Sequence, residues 1–97
     1  MATGDQIMYL TMQVNAWTSR LNEIEDRANM CQGNMDGLNA QMAYNTANHP
    51  DDATAMNDPL EVQCNLENSH MNKCNGKVSI LTDLIANNNA QIAALMS

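Results

Sequence analysis

Apolar or small residues recur through the first half of the chain at Ile7, Leu10, Val14, Trp17, Leu21, Ile24, Ala28, Cys31, Met35, Leu38 and Met42. The steps alternate between three and four residues without a break. That is the spacing that keeps one stripe of an α-helix facing a partner helix, so it predicts a coiled-coil seam. The second half repeats the pattern at Leu60, Cys64, Met71, Cys74, Val78, Leu81, Ile85, Ile92 and Leu95. Glu67 and Asn88 fill the missing steps as polar intrusions, which cost stability and can fix register.

Between the two stripes the pattern stops. Residues 45–57 hold Asn48-His49-Pro50-Asp51-Asp52, where Pro50 disfavours helix at His49. Asp58-Pro59-Leu60-Glu61 then reads as a helix start, with Asp58 as N-cap, Pro59 in the first turn and Glu61 as the acidic third residue. The expectation is one all-α domain over residues 1–97. It has helix 1 at about 5–46, a loop at about 47–58 and helix 2 at about 59–96. Two such helices fold back as a long antiparallel two-helix coiled-coil hairpin. Its expected register sets Ile7 against Leu95, Leu10 against Ile92, Val14 against Asn88, Trp17 against Ile85 and Ile24 against Val78. It continues with Ala28 against Cys74, Cys31 against Met71, Met35 against Glu67 and Met42 against Leu60.

The outer faces weaken this picture of a self-sufficient hairpin. Asn15, Asn22 and Asn29 share one heptad position, Asn87-Asn88-Asn89 lies in helix 2, and Gly33, Gly37 and Gly76 interrupt. Asn costs several tenths of a kcal/mol against Ala in a helix and Gly about 1. Further packing is therefore expected. Met8, Tyr9 and Met12 in helix 1, with Ile80, Leu84 and Met96 in helix 2, lie off the seam and toward the termini. They are the candidate protein-interface residues. Gly33-Asn34-Met35-Asp36-Gly37 is a small-xxx-small pair that permits close helix approach.

Composition narrows the partners. The net charge is −7 with only four Lys and Arg, Arg20, Arg27, Lys73 and Lys77. Nucleic acid needs a dense basic stripe, and anionic membranes need a basic face. The chain has one Trp, no Phe and nine Met, which suits a thin helix interface better than a compact aromatic core. No apolar run reaches membrane-spanning length. The start, Met1-Ala2-Thr3-Gly4-Asp5, lacks the basic region of a cleaved signal peptide. Synthesis in a cytoplasm is expected, with export, if it occurs, by a route needing no cleaved signal.

No nucleophile–base pair, glycine-rich phosphate loop or Cys-x-x-Cys occurs, so no catalytic residue and no cofactor are assigned. His70 and Cys74 stand four apart on one helix face, and the register brings Cys31 near them, giving three potential zinc donors. Cys31 and Cys74 are also a possible disulfide pair, although antiparallel layers seldom bring such Cα atoms within ~6 Å. Cysteines at seam positions otherwise act as small core hydrophobes, and the expected metal set is none.

Two stretches resemble subunits of type III secretion systems. Asn57-Asp58-Pro59-Leu60-Glu61-Val62-Gln63 and Gly76-Lys77-Val78-Ser79-Ile80-Leu81-Thr82-Asp83-Leu84-Ile85 are similar to the turn and C-terminal helix of needle proteins. The run Ala16-Trp17-Thr18-Ser19-Arg20-Leu21-Asn22-Glu23-Ile24-Glu25-Asp26-Arg27-Ala28 is similar in style to the N-terminal helix of extracellular filament subunits. Three cysteines and a long regular helix 1 depart from the needle pattern. The resemblance implies a self-associating hairpin that assembles into a bundle, needle or filament. Without it, the residues equally suit a small cytoplasmic chaperone or adaptor for a partner helix, or a plain homodimer.

Overall fold

The computed structural model describes residues 2–97. Met1, the first residue of the expected domain, lies outside them. The described chain is a long antiparallel two-helix hairpin without strands, α1 over Ala2–Asn48 and α2 over Ala53–Met96. Cα packing groups the residues into two units, Met1–Glu25 with Asn75–Ser97, and Asp26–Cys74. Both helices contribute to each unit.

The seam accounts for which side chains are sheltered. Every seam residue expected from the spacing is buried or half-buried. Ile24 is the most enclosed, with 2% of its surface exposed, and Cys31 and Met35 are also buried. No large side chain is completely enclosed among the described residues. A two-helix interface is one layer thick, so each seam side chain keeps one edge in water.

The helix boundaries differ from the expectation at the turn. The loop is 49–52 rather than 47–58, and α2 starts at Ala53, six residues before Pro59. The seam explains the difference, because its spacing continues through polar and small residues. Asn45 follows Met42 at the next step, and Asn57 and Ala53 precede Leu60 at the next two. Asn45 and Ala53 are buried. Asn45 Nδ2 donates to Asn57 Oδ1 at 3.0 Å, while Asn57 Nδ2 donates to Thr46 Oγ1 at 3.3 Å and to the Met42 carbonyl at 3.4 Å. These bonds satisfy the amides that the closing turn buries. They hold the first turns of α2 on the end of α1, and Pro59 becomes an interior helix residue.

The turn itself is tight. The His49 amide donates to the Asn45 carbonyl at 2.7 Å, and the Asp52 amide to the His49 carbonyl at 3.1 Å. Pro50 and Asp51 are the central residues of that second turn. No described residue has positive φ, which fits type I, where proline is favoured at the first central position. The Asp52 carbonyl accepts the first bond of α2 from the Met56 amide at 3.0 Å. Asp52 therefore holds the N-cap position expected for Asp58.

Hydrogen bonds across the seam fit the expected register inside each unit. Asn88, expected beside Val14, donates to Gln13 Oε1 at 2.9 Å and to the Leu10 carbonyl at 3.4 Å. In the other unit, the Cys64 thiol donates to Asn39 Oδ1 at 3.7 Å. A slip of one heptad would carry Asn57 away from Asn45 by about 10 Å.

Candidate interaction surface

With seam positions named a and d, Ile7 and Val14 are a positions and Leu10 and Trp17 d positions of α1. In α2, Ile85 and Ile92 are a and Leu81 and Leu95 d. The remaining positions then separate into two flanks, c with g and b with e, and an outer face at f. Antiparallel pairing sets the c and g positions of the two helices side by side.

The six candidate interface residues, Met8, Tyr9, Met12, Ile80, Leu84 and Met96, all belong to the unit Met1–Glu25 with Asn75–Ser97, and all are exposed. They do not form one patch. Tyr9, Ile80 and Leu84 occupy c or g positions and share a flank. Met8 and Met96 occupy b and e on the opposite flank, and Met12 points outward at f. Leu84, at 37% exposure, is the most sheltered of the six. A shallow groove on the shared flank is lined by Gln6, Tyr9, Leu10, Gln91, Ala94 and Leu95. Below it runs a polar link. Gln13 Nε2 donates to the Tyr9 hydroxyl at 3.1 Å, and Gln13 Oε1 accepts from Asn88 in the seam. The link ties a surface ring to a buried amide.

The unit Asp26–Cys74 has its own groove on the c and g flank, which the sequence expectation did not include. Asn34, Leu38, Gln41, Gln63, Leu66, Glu67 and His70 line it over Gly33 and Gly37. A Cβ added at either glycine would meet no atom within 4 Å, so the glycines widen the groove and do not serve a contact within the hairpin. Met30, Tyr44, Met56 and Leu66 stand exposed on the same flank. Tyr44 packs edge-on against His49, with ring centroids 6.3 Å apart.

Charge divides along the same line. Arg20, Arg27, Lys73 and Lys77 all occupy c or g positions, as does His70. Among the acids on the helices only Glu23 joins them, and it is paired with Arg20 at 3.1 Å. Glu25, Asp36, Asp58 and Glu61 occupy b or e, Asp5, Asp26 and Asp83 occupy f, and Glu67 lies in the seam.

The possible zinc donors are not gathered. Among the described residues no three His, Cys, Asp or Glu side chains stand close enough to hold a metal ion. Cys31, Cys64 and Cys74 are free thiols. Burial pushes the Cys31 thiol above its ordinary range, and the neighbouring Glu67 carboxyl and Cys74 push the same way. A thiol held protonated is a poor nucleophile and a poor ligand. No helix among the described residues is long and apolar enough to cross a membrane. The chain matches no family model, no curated protein and no solved structure.

Proposed function

We propose that the chain is a non-enzymatic, self-associating hairpin subunit of a larger helical bundle or filament. The exposed apolar side chains near its termini form the contact between copies. One observation carries this reading: Tyr9, Ile80 and Leu84 stay exposed beside a seam that is already complete. Apolar side chains left exposed off the primary seam fit a further interface. The thin seam points the same way, since a hairpin with no fully enclosed large side chain among the described residues gains little from its own packing. The resemblance of residues 57–63, 76–85 and 16–28 to type III needle and filament subunits favours an extracellular assembly.

Replacing Ile80 and Leu84 with Glu tests this. Both side chains are off the seam, so the double variant keeps its helical circular dichroism while sedimentation velocity shows it monomeric. The unaltered chain sediments as species that grow with concentration. An oligomer that survives I80E/L84E refutes the assignment of this surface. A wild-type chain that stays monomeric at every concentration, and gains helix only with a foreign helix, supports the chaperone or adaptor reading instead.

A further inference from the structure

The two flanks of the unit Asp26–Cys74 carry opposite chemistry. The c and g flank presents exposed Met30 and Leu66, the groove over Gly33 and Gly37, and the cations Arg27 and Lys73 with His70 at the groove's edge. The b and e flank presents Asp36, Asp58 and Glu61 with Asn29, Asn39, Asn65 and Asn68. It bears no cation and no exposed large apolar side chain. A chain of net charge −7 repels its own copies across most of its surface. The c and g flank carries both of this unit's Lys and Arg side chains, beside a groove whose lining also holds the Glu67 carboxyl.

We propose that this flank is a docking surface for a second copy of the chain, which lays its Asp36–Asp58–Glu61 flank along the groove. The partner's identity rests on the self-association reading, and the surface is separate from Tyr9, Ile80 and Leu84. Charge complementarity selects the occupant. The strip around Arg27 and Lys73 meets an acidic strip at the b and e positions of the same unit. The groove accepts a helix rim closely, because Gly33 and Gly37 put no side chains in the way. Small uncharged Asn side chains on the incoming flank approach without bulk and hydrogen-bond to the groove's Gln41 and Gln63.

Such a contact is heterologous, since a different face is used by each copy. Each copy keeps one cationic groove and one acidic flank free after docking, so the contact propagates unless the rotation closes a ring. A symmetric pairing of groove on groove would instead set Arg27 and Lys73 against their own counterparts.

The test uses the unaltered full chain, because this contact forms within the assembly that Ile80 and Leu84 hold. Copies labelled with heavy and light nitrogen are mixed and treated with a carbodiimide, which joins a lysine amine and a carboxylate as an amide with loss of water. The expected product is a heavy–light cross-link from Lys73 to Asp58 or Glu61. It falls at least fivefold in copies carrying Arg27→Glu, and likewise at about 1 M salt, where the Debye length is ~3 Å. Charge-swapped copies give the decisive arm. R27E/K73E copies alone and D36K/E61K copies alone each give no cross-link between positions 61 and 73 of different copies, yet their mixture gives one. Self-association of the unaltered chain with no Lys73 cross-link between copies overturns the docking surface and leaves the proposed function standing. A chain that is monomeric at all concentrations overturns both.

Discussion

Pro59 is where the structure makes its sharpest claim against local sequence logic. If α2 began at Pro59, the ring would sit at a helix N-terminus, where its missing amide is an orphan anyway and alanine brings no gain. The structure starts α2 at Ala53 and leaves Pro59 in the helix interior. There the ring removes the amide that would bond the Ala55 carbonyl and crowds that carbonyl. Interior proline costs about 3 kcal/mol against alanine. Ala55 is exposed, so water partly satisfies its carbonyl, and the short stretch of helix before Pro59 absorbs part of the clash. Proline also stiffens the unfolded chain, which offsets about 0.4–1 kcal/mol. The net gain for Pro59→Ala is therefore about 1–2 kcal/mol. A domain of this size shifts by about 4–8 °C per kcal/mol, so the midpoint rises by roughly 4–16 °C. The melt is followed by circular dichroism in dilute I80E/L84E protein, because association would raise the midpoint by mass action. An unchanged or lowered midpoint would place the start of α2 at Pro59 and refute the shortened turn.

Two further outcomes follow from the seam. Asn88→Leu exchanges a net hydrogen-bond contribution of about 0.5–1.5 kcal/mol for apolar burial of about 1.5–3, so denaturant unfolding should show roughly 1 kcal/mol of added stability and a looser register. A loss of stability would mean that the Gln13–Asn88 link is worth more than an apolar layer. The raised Cys31 thiol favours the protonated folded state, so its contribution is fully present below the ordinary thiol value of 9.0 and is lost as pH rises through the higher folded value. Urea midpoints measured against pH should fall in that alkaline window, and the Cys31 share of the fall should vanish in Cys31→Ala; an identical decline in the variant would contradict it.

The seam was legible because hydrophobic periodicity is a direct imprint of helix packing. Ile24, Cys31, Met35 and the rest lie where their spacing put them. What escaped was the polar part of the same stripe. Asn45 and Asn57 hide from a search for apolar residues, yet they are sheltered because they bond to each other across the turn. Asp58-Pro59 also imitates a helix start, which masks the earlier N-cap at Asp52. The candidate surface was legible in part. Exposure of Ile80 and Met96 followed from their off-seam positions, but the division of six residues between two flanks and an outer face needed the pairing geometry. The second groove escaped because its makers, Gly33 and Gly37, act by what they lack. The charge partition was present at the heptad positions of Arg20, Arg27, Lys73 and Lys77, and only became meaningful once c and g were known to share a flank.

The central claim is that a hairpin this thin completes its stability by packing against copies of itself. Native-state hydrogen exchange of the unaltered chain, measured in dilute and in concentrated solution, tests that claim most directly. Association adds free energy to every opening that must break the assembly. The seam amides around Ile24, Val78 and Leu81 should therefore become better protected as concentration rises, and I80E/L84E should remove that dependence. Protection that is the same at every concentration would show the hairpin to be self-sufficient and contradict the claim.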